Sequence, residues 1–150
     1  MVNIENLTTL NINIKFLEKI SKSLLNNDYL REIDLTICDN KTIQEYNLAY
    51  RDKDRATDVL SFPIESDMIM NPIDMPLGSI VISAEFVWEK AKELGHSNQD
   101  ELSLLFIHGV LHLLGFDHEI DNGEMRAKEE ETIKRFNLPK SLIIRTEEKI

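Results

Sequence analysis

Residues 98–118, NQDELSLLFIHGVLHLLGFDH, carry the strongest structural pattern in the chain. Up to Leu114, apolar side chains cover nearly every direction around a helix, which is typical of a helix buried in the middle of a domain. Three of the chain's four histidines, His108, His112 and His118, lie in the same stretch. Because buried imidazoles need polar partners, this segment must satisfy a chemical requirement as well as a packing one.

The spacing of these histidines predicts a metal site. Residues four apart lie on one face of a helix, so the imidazoles of His108 and His112 can reach one ion. Gly115 can adopt the left-handed conformation that ends a helix and turns the chain back, which would carry His118 to the same ion. Three neutral imidazoles favour Zn²⁺ with a fourth position for water, although nickel and copper also bind such ligands.

The pattern H-x-x-x-H-x-x-G-x-x-H has the ligand spacing of the metzincin peptidases but differs from it at one position. Those enzymes carry a glutamate, the general base, directly after the first histidine, and this chain has Gly109 there. The sequence therefore predicts a zincin-like metal helix followed by a glycine turn, without the peptidase base. The interpretation of Asp117 stays open, since it can orient a ligand imidazole, act as a nearby base, or stabilise the turn.

On both sides of this segment, the spacing of apolar residues predicts further helices and strands. Helical spacing of apolar residues predicts further helices over 12–25, 40–51, 84–94 and 123–136. Short apolar runs bounded by turn signals predict strands over 32–38, 57–63 and 78–83. Asn98 is the expected cap of the histidine helix, with Glu101 as its capping-box partner. Residues 65–76 are interpreted as a long loop, and the tail after residue 140 as a short strand or a frayed end. The sum is a single α+β domain over residues 1–150, a small mixed β-sheet with packed helices.

Composition limits the classes of function. The formal net charge of −10 argues against a generic nucleic-acid-binding surface, but the balance is only −2 over residues 1–63. An anionic polymer would therefore need a local patch in the first half. No apolar run is long enough to span a bilayer, and the N-terminus lacks the plan of a signal peptide. Cys38 is the only cysteine, so no disulfide can form within the chain, and a core position in a reducing cytoplasm is expected.

A second unusual segment, YRDKDRATDVLSFP at residues 50–63, alternates basic side chains with aspartates. Taken alone, such a charge run is typical of a solvated loop. Together with GSIVIS at 78–83 and the histidine motif, in this order, it resembles the YbeY family of rRNA maturation factors. The resemblance covers about residues 45–135. Two positions depart from the family pattern, where a proline is replaced by Ala56 and an aspartate by Ser79. His96 also matches a family position, and we expect it to be structural rather than a ligand.

The resemblance implies a cytoplasmic, zinc-dependent endoribonuclease that is specific for single-stranded RNA. It implies roles in rRNA processing, including the 3′ end of 16S rRNA, and in late maturation and quality control of the small ribosomal subunit. The three histidines carry over as zinc ligands, and Arg51 as the basic residue needed for activity. Arg51 would stabilise negative charge in the transition state, while Lys53 and Arg55 would hold the RNA backbone. The general base is unassigned, and attack by an RNA 2′-hydroxyl on its own phosphate is one alternative.

Two other hypotheses compete with this one. The first is a metallohydrolase acting on peptides or other non-RNA substrates, which the ligand spacing favours and the missing glutamate disfavours. The second is a zinc-stabilised, non-catalytic factor that docks on the pre-ribosomal particle. In that case the acidic second half would contact a basic protein of the small ribosomal subunit.

Overall fold

The structure, a computed structural model, describes residues 1–26, 31–64 and 75–140. Within these ranges the chain folds into four strands and five helices. The strands are β1 (Val2–Asn6), β2 (Ile33–Cys38), β3 (Val59–Pro63) and β4 (Gly78–Ser83). The helices are α1 (Ile14–Leu25), α2 (Asn40–Arg51), α3 (Ala84–Leu94), α4 (Asn98–Leu113) and α5 (Glu124–Phe136). The α+β class predicted from the sequence is confirmed.

The strands form one mixed sheet in the order β1-β2-β4-β3. β1, β2 and β4 run parallel, and β3 runs antiparallel to β4, with Ser61 opposite Ile80. The predicted mixed sheet is therefore confirmed. β1, in which only Val2 is buried, was not predicted, because its alternation of apolar and polar residues is too short to stand out in the sequence.

The histidine helix, α4, is buried along almost its whole length, as its sequence predicts. It packs on one face of the sheet against β3 and β4, and it also contacts α1, α3 and α5. The approach is close at Gly109, where an added Cβ would lie 3.0 Å from two carbon atoms of the Ile80 side chain. Gly109 therefore allows the backbone of α4 to lie directly on β4.

The other face of the sheet is covered by α2. A smaller apolar cluster is built there from Cys38, Ile43, Leu60 and Val81, with Ala56 packed against it. Cys38 is fully buried, and its burial raises the pKa of the thiol to about 11, so it is a core residue as expected. The two faces of β3 and β4 thus contact different helices.

The predicted cap of α4 is wrong by one residue. Ser97 is the cap, and its side chain accepts a hydrogen bond from the backbone N–H of Asp100 at 3.0 Å. Asn98 is the first residue within the helix. With Ser97 as the cap, Glu101 lies one residue beyond the capping-box position, and its buried carboxylate pairs with the ring of His96 at 2.8 Å. A serine beside an asparagine offers two equivalent caps, and the sequence alone does not choose between them.

Two other expectations fall mainly outside the described residues. The proposed loop over 65–76 lies there except for its last two residues, and the proposed terminal strand or frayed end after residue 140 lies there entirely. Among the residues that the structure describes, no helix has both the length and the apolar character needed to cross a membrane.

Candidate metal centre and cleft

The three histidines of the motif come together at the C-terminal end of α4. One ring nitrogen from each of His108, His112 and His118 lies within 4.8 Å of the other two. The Nε2 atoms of His108 and His112 are 3.1 Å apart. These residues can therefore hold a metal ion, as the spacing of four and then six residues predicts.

Gly115 brings the third histidine into the cluster. Its φ of +97° is in the left-handed region, and its backbone N–H donates to the carbonyl of His112 at 3.0 Å. The next N–H, that of Phe116, donates to the carbonyl of Leu111 at 3.0 Å. These two bonds satisfy carbonyls at the end of α4 and reverse the chain. The partly buried Phe116 ring then packs on the core, which fixes the path toward His118.

Glu129 of α5 holds the ring of His108 in place. Its Oε2 lies 2.9 Å from Nδ1 of His108, and both side chains are almost fully buried. A carboxylate at Nδ1 favours a proton on that nitrogen and leaves Nε2 free to act as a ligand. Glu129 was not among the predicted site residues, although the sequence carries a signal for it. Met125, Glu129 and Ile133 lie four residues apart along one buried face of an otherwise polar helix.

His112 sits in an environment that favours its neutral form. Burial lowers its pKa below the ordinary value of 6.5, and the nearby His108 acts in the same direction. An imidazole must be neutral to bind a metal through its lone pair. The same surroundings therefore keep His112 ready to act as a ligand over a wider pH range.

The donor set suits a borderline-soft divalent ion. The clustered donors are three imidazole nitrogens, one from each histidine. A site with three imidazole ligands is typical of zinc that keeps its fourth position open. Nδ1 of His118 is buried and has no hydrogen-bond partner among the described residues. A bare imidazole nitrogen of this kind is costly in a protein interior. The geometry and the chemistry of the donors thus fit a bound cation.

A cleft of about 590 Å³ opens beside the three histidines. Its other walls come from Val59, Ser61 and Pro63 of β3, from the turn after Gly115, and from several charged side chains. The charged residues that line it are Arg51, Asp58, Asp117 and Glu119. Arg51 ends α2 and is exposed, so its guanidinium is available to an anion in the cleft.

The other predicted site residues lie outside the cleft or support the turn beside it. Lys53 and Arg55 are exposed in the segment after α2 and do not line the cleft. Oδ1 of Asp117 accepts a hydrogen bond from the backbone N–H of Glu119 at 3.0 Å, so this side chain supports the turn. His96, as expected, lies at the end of α3, where Glu101 binds its ring.

Gly109 faces the sheet and not the cleft. An added Cβ would lie 3.0 Å from two carbon atoms of Ile80, so a larger residue would require the Ile80 side chain to shift. Ser61 Oγ also donates to the carbonyl of Gly109 at 3.2 Å, which joins β3 to α4 at the same point. The glycine that stands at the position of the metzincin glutamate therefore has a packing role in this fold.

Comparison with known proteins gives the family. The family model described as Endoribonuclease YbeY matches residues 2–137. The chain belongs to the endoribonuclease YbeY family. The protein named Endoribonuclease YbeY from Sulfurovum sp. (strain NBC37-1) is 59% identical over 148 residues, covering 98% of each chain. The one from Sulfurimonas denitrificans is 52% identical over 147 residues, covering 98% of this chain and 99% of the relative.

A solved structure is similar to this YbeY-family fold. The solution structure of a protein from Thermotoga maritima has 27% sequence identity and a TM-score of 0.57, covering 89% of this chain and 87% of its own. The resemblance to the YbeY family that the motifs indicate is therefore confirmed over nearly the whole chain.

The two departures from the YbeY pattern lie away from the histidines. Ala56 packs against the apolar cluster beneath α2. Ser79 of β4 pairs with Phe62 of β3 and borders a cavity on the same side of the sheet as α2. Both substitutions therefore change the face of the sheet opposite α4.

Proposed function

We propose that this protein is a zinc-dependent endoribonuclease that cleaves single-stranded RNA in rRNA processing and late maturation of the small ribosomal subunit. The observation that carries the proposal is the cleft in which Arg51 and the three-histidine cluster line one cavity. Membership of the endoribonuclease YbeY family supports RNA as the substrate. His108, His112 and His118 would hold the zinc ion. The 3′ end of 16S rRNA is the proposed target.

When bound, a zinc ion supplies Lewis-acid chemistry that polarises a phosphoryl oxygen or lowers the pKa of a water molecule. Arg51 contributes a planar guanidinium, which can bind two phosphate oxygens and stabilise the charge that develops on them. Glu129 fixes the tautomer and orientation of His108. Lys53 and Arg55, outside the cleft, would contact phosphates farther along the RNA chain. Asp117 would orient the ligand His118 by fixing the turn that carries it.

The carboxylates beside the cleft limit what can bind there. Asp58, Asp117 and Glu119 repel a phosphate unless positive charge offsets them. Arg51 and a divalent cation together supply that charge. We therefore propose that RNA affinity in the cleft depends on the metal as well as on Arg51. The proposed cellular setting is the cytoplasm, and basic proteins of the small ribosomal subunit are proposed partners for the acidic second half.

The test combines metal removal with substitution of Arg51. Chelated protein should lose cleavage of single-stranded RNA, and added Zn²⁺ should restore it. Arg51→Ala should reduce cleavage about 100-fold with unchanged zinc content, because one transition-state anion contact is lost. Lys41→Ala is the control, since Lys41 is an exposed cation at the other end of α2. Full activity in metal-free protein would rule out the proposal.

The same experiment separates the competing functions. Casein should remain uncut by the zinc-loaded protein, because no glutamate follows His108 and Gly109 packs on Ile80. A folded His112→Ala variant that still supports ribosome assembly in cells would favour the non-catalytic docking function instead.

A further inference from the structure

A second cavity lies on the opposite face of β3 from the histidine cleft. It measures about 330 Å³, close to the lower end of the range for ligand pockets. Its walls are Thr36, Tyr46, Tyr50, Phe62, Ser79 and Val81. Half of these residues are aromatic and none is charged, so the cavity suits a neutral ring better than a phosphate or a basic peptide. We call it the aromatic cavity.

The ring of Tyr50 contacts two other aromatic rings and is still exposed to solvent. Tyr50 stacks on Tyr46 with ring centroids 6.1 Å apart and an interplanar angle of 21°. Its ring also meets Phe62 edge to face, with centroids 5.4 Å apart. Such contacts stabilise a ring orientation. Even so, Tyr50 is 70% exposed, so it presents a preorganised flat apolar surface to solvent.

Tyr50 and Arg51 connect the two cavities. They are the last two residues of α2, and their Cα atoms are about 3.8 Å apart. Arg51 lines the histidine cleft, and Tyr50 lines the aromatic cavity. β3, the end strand of the described sheet, lies between the two cavities. Its residue Ser61 lines the histidine cleft, and the next residue, Phe62, lines the aromatic cavity.

We propose that the aromatic cavity is a stacking subsite for one unpaired nucleobase of the RNA that is cleaved at the histidine cluster. A phosphate held by Arg51 places an adjacent nucleotide at the edge of β3, where its base can stack on Tyr50. Stacking accepts any base, because every base has a π-face. A base held in a duplex is not free to enter, so the subsite selects single-stranded RNA. This inference rests on the proposed function.

The test measures binding separately from cleavage. A single-stranded 2′-O-methyl oligonucleotide carrying 2-aminopurine is titrated with zinc-loaded protein, and anisotropy and 2-aminopurine quenching are recorded. Tyr50→Ala should weaken binding about 5- to 150-fold, which is the range for loss of one base–aromatic stack. Tyr50→Phe keeps the ring and should bind like the original protein. Leu48→Ala is the matched control, since Leu48 is also exposed on α2.

An abasic series locates the stacked base. Removing the base at each position in turn should weaken binding at one position in the original protein, and that penalty should disappear in Tyr50→Ala. Unchanged affinity in Tyr50→Ala, an equal abasic penalty in both proteins, or no binding by the original protein would each overturn the inference. The proposed function would fail in a different way. RNA would then bind with a stack that depends on Tyr50, but the protein would not cut it.

Discussion

At the scale of single residues, the metal centre depends on a carboxylate that is not part of it. Glu129 reaches from α5 to Nδ1 of His108 at 2.9 Å. The pair is nearly dry, so removal of Glu129 would take from Nδ1 of His108 the carboxylate that it bonds in the protein interior. The orientation of the first ligand is therefore set by a residue 21 positions away in the chain.

Substitution of Glu129 should weaken metal binding without removing a ligand. Glu129→Gln should lower zinc affinity about 10- to 100-fold, the usual effect of losing such a support. Competition with a chromogenic chelator measures this affinity. Glu130→Gln is the control, because the side chain of Glu130 is 39% exposed and pairs with Arg126 on the same helix. Equal affinities for both variants would contradict the role of Glu129.

The depressed pKa of His112 has a consequence for stability in the metal-free protein. A lowered folded-state pKa means that the unfolded chain binds the proton more tightly. His112 therefore contributes to stability above the ordinary pKa of 6.5, and this contribution is lost as pH falls through the folded-state pKa. Urea unfolding of metal-free protein at pH 7.5 and 5.5 should show a smaller loss of stability in His112→Gln than in the original protein. An equal or larger loss would be inconsistent with this sign.

At the scale of elements, the decisive contact is that of α4 with β4. Alanine normally stabilises a helix relative to glycine by up to about 1 kcal/mol. At position 109 packing opposes this gain, because the new Cβ would lie 3.0 Å from the fully buried side chain of Ile80. We therefore expect the steric effect to dominate.

Gly109→Ala should destabilise the protein by about 1–3 kcal/mol, the usual cost of overpacking a core. Thermal or urea unfolding measures the loss. In the double variant with Ile80→Val, the cost of Gly109→Ala should be smaller than in the single variant, since one of the contacting carbon atoms is gone. A stabilised Gly109→Ala protein would show that helix propensity outweighs the contact.

At the scale of the whole molecule, RNA binding must work against a net charge of −10. The proposed RNA contacts use three cations, Arg51, Lys53 and Arg55, all of them exposed residues near the C-terminal end of α2. Stacking in the aromatic cavity does not depend on salt in the same way. The protein should therefore bind RNA with a modest electrostatic component.

This expectation can be measured as a salt slope. With three phosphate contacts to a single strand, the slope of log affinity against log salt should be about −2. Affinity would then fall by about one order of magnitude between 50 and 200 mM salt. Titration of a single-stranded oligonucleotide across this range gives the slope. A value near −5 would indicate that a larger basic surface takes part.

The sequence by itself determined much of this protein. The apolar pattern of residues 98–114 predicts a buried helix, and the spacing of the histidines with Gly115 allows their side chains to converge, because both follow from local helix and turn geometry. The strands at 33–38, 59–63 and 78–83 were likewise predicted closely. The tertiary structure alone decided which distant residues meet. It brought Glu129 to His108 and placed Gly109 against Ile80. It also placed Tyr50 and Arg51 of α2 in two different cavities, one on each side of β3. These contacts join separate elements, and they depend on packing that no local spacing encodes.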